Sequence, residues 1–339
     1  MNEIVWRRIF KAASLKRIGN AIQVFAALGL SRLTGKSITW GQPMVLTVEP
    51  TVRCNLRCPQ CVTGMGKTSR GQADLELALF QSLLDEVGDA VWYLLLFNQG
   101  EPFLHPQLLE FIRRAKQKRI CVTISTNGHF FADRGFVSEL TATEIDCIII
   151  SLDGADALTY EKYRQGGDFQ RVVQGIQNLV DIKKQMKMRT PVVMIQCLVM
   201  RQNEYQVRQM KHLRRKLGVD RLLLKTMQVE NPAQAAELLP LHHRWRRYNF
   251  ANVEMQAKTT SRRGCSRLWY SAVVLSDGRV VPCCFDKNGI FSFGSVAIKN
   301  KLTQIWKSDD YQQFRARFLE SRNGYAICSN CTQGRKIYF

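Results

Sequence analysis

Acidic side chains are scarce in this chain of 339 residues: 28 Asp and Glu stand against 49 Lys and Arg, a formal net charge of +21 at pH 7. That deficit excludes an acidic solubilising surface and favours anionic partners such as nucleic acid, acidic lipid headgroups or a phosphorylated substrate. Low-complexity tracts are also missing. With 45% hydrophobic and 23% charged residues the chain can bury a sizeable core, which excludes a disordered protein. No run reaches the ~18 apolar residues of a membrane span. The N-terminus has no contiguous apolar stretch ahead of a small-residue cleavage site, so the eleven cysteines are expected as reduced thiols in a cytoplasmic setting.

Residues 1–42 read as a basic helical segment. Arg7, Arg8, Lys11, Lys16, Arg17, Arg32 and Lys36 face a single acid, Glu3. Leu15, Ile18, Ile22 and Phe25 make one apolar stripe at helical spacing; Val5, Trp6, Ile9 and Phe10 make another on nearly the opposite side, so the phase breaks near Ser14. Such a segment either lies on an anionic membrane surface, here the inner face, or packs under the next domain.

Residues 43–232 alternate short apolar runs with amphipathic stretches. Strands are expected at 44–48, 92–97, 121–125, 147–152, 192–199 and 221–228. Between them the pattern predicts helices over 75–87 with Asp74 as N-cap, from Pro106 to about Lys118, and over 169–187 and 206–217. Six βα units in series imply an α/β fold with a parallel sheet, a partial (β/α)6 TIM-like barrel with its chemistry at the C-terminal strand ends. Cys121, Cys147 and Cys197 sit inside apolar runs and are expected in the core. Lys225, in the sixth run, faces either the barrel interior or solvent.

The loop after the first strand carries Cys54-Asn55-Leu56-Arg57-Cys58-Pro59-Gln60-Cys61, a C-x3-C-x2-C spacing. Three thiolates can hold three corners of a cubic iron–sulfur cluster and leave one iron open. A zinc knuckle is the alternative, but no fourth Cys or His follows nearby; the next are His105 and Cys121. Residues 233–339 hold a second set. Val273 to Val281 reads as a hairpin with a two-residue Asp277-Gly278 turn, flanked by Cys265 and Cys283, and a Cys328-x2-Cys331 hook follows. Four thiolates suit zinc or an iron–sulfur cluster, with Cys284 as the competitor of Cys283.

The first cysteine motif resembles the signature of the radical S-adenosylmethionine (radical SAM) superfamily. In that family the amino and carboxylate groups of SAM chelate the open iron. The second set is similar to the family's SPASM/Twitch extension, in its shorter Twitch form with one auxiliary [4Fe–4S] cluster. The resemblance implies that Cys54, Cys58 and Cys61 hold the SAM-binding [4Fe–4S] cluster, and that Cys265, Cys283, Cys328 and Cys331 hold the auxiliary one. Asn98-Gln99-Gly100-Glu101-Pro102 looks like the family's G-G-E-P loop, with Gln99 in place of the first glycine and Glu101 as the contact for the SAM ammonium. If Gln99 had to adopt positive φ it would be strained. Ser125-Thr126-Asn127-Gly128 resembles the S-T-N-G run. By the same resemblance Ser151, Asp153 and Arg164 contact SAM or substrate, Arg164 through a carboxylate, and Asn203 reaches the ribose.

The implied activity is reductive cleavage of SAM to a 5′-deoxyadenosyl radical. That radical takes hydrogen from a small or carrier- or lipid-linked substrate, anionic or sugar-like, for net oxidation, with the auxiliary cluster as electron acceptor. A flavodoxin- or ferredoxin-type protein would supply the electron. Two alternatives stay open: a peptide-modifying SPASM enzyme of natural-product maturation, and a non-catalytic zinc protein that binds nucleic acid. Against the last, no named nucleic-acid-binding motif is present.

Overall fold

The computed structural model describes residues 3–71, 73–251, 254–258, 265–321, 325–329 and 331. Two helices lead the chain, α1 (Glu3–Lys11) and α2 (Leu15–Thr34). The break falls where the apolar phase changes: Ser14 is extended and its side chain accepts from the Arg17 amide, an N-cap.

Six parallel strands follow in chain order: β1 (Val45–Val48), β2 (Tyr93–Leu95), β3 (Cys121–Thr126), β4 (Cys147–Ser151), β5 (Val192–Val199) and β6 (Arg221–Thr226). Between them run α3 (Leu77–Val87), α4 (Leu108–Gln117), α5 (Arg134–Ala142), α6 (Ala157–Tyr163), α7 (Phe169–Gln185) and α8 (Val207–Lys216). This is the partial barrel that the alternating pattern predicts. Strand alternation divides its packing. Val122 and Ile124 join the main core against the helices, where Phe80 of α3 stacks on Phe111 of α4 at 4.2 Å. Cys121 points the other way and joins Cys147, Val192, Met194 and Trp92 in a separate small core. Cys121, Cys147 and Cys197 are all buried, as expected.

Two helix starts differ from expectation. Asp74 does not cap α3. Its carboxylate accepts from Arg53 Nε and Nη2, and the helix starts two residues later than predicted behind Glu76, which makes no side-chain cap. Pro106 precedes α4 without being its first residue; Gln107 is the N-cap. Lys225 is exposed on β6, while its neighbours Leu224 and Thr226 are buried.

The chain then forms α9 (Pro232–Leu238) and an antiparallel pair, β7 (Tyr248–Ala251) with β8 (Glu254–Ala257). After α10 (Arg267–Tyr270) come β9 (Ser271–Val274) and β10 (Val280–Val281), then α11 (Leu302–Trp306), α12 (Asp309–Glu320) and α13 (Ala326–Ser329). The hairpin turn has three residues, not two. Leu275 pairs with Arg279, and Gly278 takes φ +81°, the left-handed position that closes three-residue hairpins. The hairpin is no separate module. β9 pairs in parallel with β1, Val45 opposite Ser271 and Val48 opposite Val274, so the sheet continues to eight strands in the order β10-β9-β1-β2-β3-β4-β5-β6.

The N-terminal helices dock at the end of the barrel where the strands begin. Ile9 packs with Cys121, Cys147 and Val192, the first residues of β3, β4 and β5. Arg17 is buried and donates to the carbonyls of Ala12, Gly88 and Lys118. No helix among the described residues is long and apolar enough to cross a membrane.

Candidate functional site

A cavity of ≈ 140 Å³ opens at the C-terminal ends of β1 to β4. Cys54, Cys58 and Cys61 line it from the loop after β1, Asn98, Gly100 and Glu101 from the loop after β2, Thr126 and Asn127 from the end of β3, and Ser151 from β4. Leu56, Phe97 and Tyr163 supply apolar wall, and Arg164 closes one side. The loops after β1, β2 and β3 and the end of α6 thus deliver thiols, a carboxyl, amides and a guanidinium to one place.

The thiols are held away from water. Burial pushes the Cys54 thiol up to about 11 and raises that of Cys58, against the pull of the neighbouring Arg164 charge. A second core of Leu56, Tyr163, Met200, Met227, Val229, Ala235, Leu239 and Tyr248 packs around all three cysteines. Val229, Ala235, Leu239, Tyr248, Met255 and Ala257 therefore wall off the side of the barrel beyond β6. Gly64 is required here: a Cβ would lie 2.7 Å from the Cys58 amide nitrogen.

Glu101 is buried and fastens the site as much as it lines it. Its Oε1 accepts from Thr126 Oγ1 at 2.7 Å and from the Phe103 amide at 3.3 Å; its Oε2 accepts from the Asn127 amide at 2.7 Å. Burial raises its carboxyl to about 7, against those hydrogen bonds. Asn127 in turn donates to Asn55 Oδ1, which ties the β3 loop to the cysteine loop. The left-handed residue of the β2 loop is Gly100, at φ +74°, not Gln99; a Cβ there would lie 2.4 Å from the Thr51 carbonyl oxygen. Gln99 keeps an ordinary backbone and sets its Oε1 3.9 Å from Cys61 Sγ.

Arg164 donates from Nε to Asp153 Oδ2 at 2.6 Å, and its Nη1 lies 3.9 Å from Cys58 Sγ. Burial works against its charge, but Asp153 offsets that and holds the guanidinium above its ordinary value. Asp153 does not line the cavity. Its other oxygen accepts from the Leu198 amide at 2.6 Å, a tie from β4 to β5. Asn203 is likewise set back, donating to the carbonyls of Asp153 and Leu198 while its Oδ1 accepts from the Met200 amide. Of the residues singled out in the sequence, the three cysteines, Glu101, Ser151 and Arg164 share the cavity; Asp153 and Asn203 stand behind it.

Two residues escaped sequence reasoning. Glu49, at the end of β1, is fully buried and paired with Arg70 at 2.5 Å. Its oxygens also accept from Asn98 Nδ2, the Gln99 amide, and the amide and hydroxyl of Ser276. Asn98, turned by that bond, lines the cavity with its Oδ1 buried and lacking a hydrogen-bond partner among the described residues. Only a charged residue at the end of an apolar run marks Glu49 in the sequence.

A second, small cavity is lined by Cys265, Cys283, Cys328 and Cys331, with Phe285, Phe314, Phe318 and Arg267. Cys284 is not part of that lining. Burial drives the Cys283 thiol up, and Arg267 keeps a raised affinity for its proton against burial because the cysteine and Tyr270 side chains surround it. Among the described residues no three His, Cys, Asp or Glu side chains draw together tightly enough to ligate a lone metal ion.

Residues 48–210 match the family model of the radical SAM superfamily, and residues 265–332 match that of SPASM, an iron–sulfur cluster-binding domain. The chain belongs to the radical SAM superfamily. It is 25% identical over 321 residues to the tungsten-containing aldehyde ferredoxin oxidoreductase cofactor-modifying protein of Pyrococcus furiosus, covering 85% of this chain and 86% of that protein. It is 32% identical over 137 residues to mycofactocin maturase MftC of Mycobacterium tuberculosis, spanning 40% of this chain and about a third (34%) of that protein's length. The fold matches the crystal structure of Streptococcus suis SuiB bound to S-adenosylmethionine, with a TM-score of 0.62, 15% identity, and coverage of 92% of this chain and 76% of that one.

This radical SAM enzyme therefore uses a [4Fe–4S] cluster and SAM, and its SPASM domain implies auxiliary iron–sulfur clusters. The residues present fit both kinds of group. Three soft thiols share one shielded cavity beside the orphaned acceptor Asn98 Oδ1, which suits an ammonium donor. Four more thiols share a second, apolar one.

Proposed function

We propose that this radical SAM enzyme oxidises a small or carrier-linked, non-peptide substrate, with SAM held over Cys54, Cys58 and Cys61 and one auxiliary cluster on Cys265, Cys283, Cys328 and Cys331. When bound, the first cluster and SAM supply a one-electron cleavage that yields a hydrogen-abstracting 5′-deoxyadenosyl radical, and the second cluster supplies an electron acceptor. The protein does the rest by position. Glu101 and Asn98 Oδ1 would hold the SAM ammonium, and the donors of Arg164 not engaged by Asp153 would hold its carboxylate. Asp153 and Asn203 act behind them as positioning residues, fixing Arg164 and the β4–β5 ends. Leu56, Phe97 and Tyr163 exclude water from the reacting atoms. In domain terms, 1–42 caps the barrel, 43–232 carries the SAM site and 233–339 the auxiliary cluster.

The observation that carries this reading is the convergence of the three thiols, Glu101, Asn98 and Arg164 on one cavity. The full-length relative favours a non-peptide substrate: it is named for modifying a cofactor and aligns with 85% of the chain, whereas the maturase aligns with 40%. A flavodoxin- or ferredoxin-type reductant and a peripheral contact of the basic N-terminal helices with an anionic surface belong to the same reading. The test is anaerobic reconstitution of Cys54→Ala. The variant should lose one cluster's worth of iron and all 5′-deoxyadenosine formation with dithionite and SAM. Undiminished 5′-deoxyadenosine would sink the assignment, and stoichiometric zinc without iron in the wild-type protein would replace it with the zinc-protein alternative.

A further inference from the structure

The strongest apolar stripe of the N-terminal segment faces away from the protein. α2 docks through Arg17, Val24, Ala27, Leu28 and Ser31, all buried. On its far side Leu15, Ile18, Ile22, Phe25 and Leu33 are exposed, Leu15 at 90% and Leu33 at 84%. They recur at steps of three, four, three and eight residues, with Gly29 in the gap, so they form one continuous line along the helix. Trp6 and Phe10 of α1 stack at 5.8 Å and are also exposed.

The surroundings of this line are basic. On a helical wheel Arg32 flanks it, and Lys11 and Lys36 sit at the helix ends. Glu3 is the one acid in the sequence of the two helices. The loops that enter the strands at this same end add Arg119, Lys187 and Arg189, and the end of α8 adds Lys216, all exposed. Of the nearby acids, Asp89 is paired with Lys16, Asp85 with Lys118, and Glu144 is exposed. A second copy docking by the same line would bring these cations against their own images, which is repulsive. An anionic lipid surface answers both features at once: acyl chains for the line, headgroups for the rim.

We infer that α1 and α2 are an interfacial anchor that seats the protein on an anionic membrane with the SAM cavity turned away from it. The topology fixes that orientation. The anchor lies where the strands begin, beside Cys121, Cys147 and Val192, and the cavity lies where they end. The eight residues of β5 separate the two by roughly 25 Å at ~3.3 Å per residue. A lipid embedded in the same leaflet cannot reach across a barrel height, so the substrate enters from water and the lipid-linked class is excluded. This rests on the reading of the upper cavity as the SAM site.

The test uses the anaerobically purified full-length holoprotein with vesicles of phosphatidylglycerol and phosphatidylcholine, and of phosphatidylcholine alone. The protein should float with the anionic vesicles and not with the neutral ones. Replacing the outward side chains (Leu15→Gln, Ile18→Gln, Ile22→Gln and Phe25→Gln together), or reversing the rim with Arg32→Glu and Lys36→Glu, should cut binding about tenfold or more. Both variants should still form 5′-deoxyadenosine in free solution at the wild-type rate. Hydrogen exchange on the anionic vesicles should slow over residues 15–34 and stay unchanged over residues 154–168 beside the cavity. Equal binding by either variant, a wild-type dimer that the glutamine variant dissolves, or protection of 154–168 would overturn the inference. A wild-type protein that floats but forms no 5′-deoxyadenosine would leave the anchor standing and remove the SAM reading instead.

Discussion

Glu101 shows how one buried carboxyl can fasten two loops of a cavity together. Three donors reach it from the β2 and β3 loops, yet burial still dominates and its carboxyl sits at about 7 against an ordinary 4.5. In the cofactor-free protein the folded state therefore holds a proton that the unfolded chain has released between those two pH values. Stability falls as pH rises through that window and is flat above it, by about 3 kcal/mol for this group. Glu101→Gln should remove that slope. The check is the difference between wild-type and variant denaturation midpoints across pH 4 to about 8; parallel curves would show that the carboxyl titrates normally. The family loop and the glutamate in it were legible as a run of contiguous residues. Its partners Thr126 and Asn127 were legible only as a neighbouring motif, because their distance from Glu101 depends on β2 and β3 lying side by side.

Elements meet at Glu49. This carboxylate closes β1, and its partners lie 21 residues away at Arg70, 49 at Asn98 and 227 at Ser276. Arg70 extends the tie to the Lys287 carbonyl beyond the auxiliary hairpin. Glu49→Gln should cost about 3–5 kcal/mol, since it leaves the Arg70 guanidinium buried and unmatched, and adding Arg70→Met should recover part of that loss. Chemical denaturation of the single and double variants measures it; additive losses would mean that the two side chains act separately. No periodicity announces such a residue. The strands themselves were readable from apolar runs, and β5 fell within its predicted bounds. The starts of α3 and α4 were not: Asp74 is drawn off by Arg53, and the α4 cap falls at Gln107, after Pro106, which was expected as the first helical residue.

At the scale of the molecule the barrel and the SPASM domain share one sheet. β9 covers the edge of β1, and Ala235, Leu239, Tyr248, Met255 and Ala257 pack against the cysteine loop, so a barrel cut after residue 232 would expose a full strand edge and one face of that loop. The fragment 1–232 should aggregate on expression, whereas the full chain folds; a soluble fragment with a cooperative melt and one reconstituted cluster would show the two parts to be independent. The N-terminal helices belong to the same unit. Ile9 fills the small core at the strand starts and Arg17 satisfies three carbonyls there, so deletion of the segment removes structure as well as surface.

What the sequence determined by itself was whatever contiguous residues can express: the cysteine motif, whose three thiols lie within eight positions, the βα alternation, and the two outlying cysteine pairs. The tertiary structure alone decided which face of α2 looks outward, that Asp153 and Asn203 stand behind the cavity, and that the auxiliary hairpin extends the barrel sheet. The physical reason is range: a motif carried by one loop is written in local spacing, whereas burial of a helix face or a lone carboxylate depends on partners that only the packed chain brings within a few ångströms.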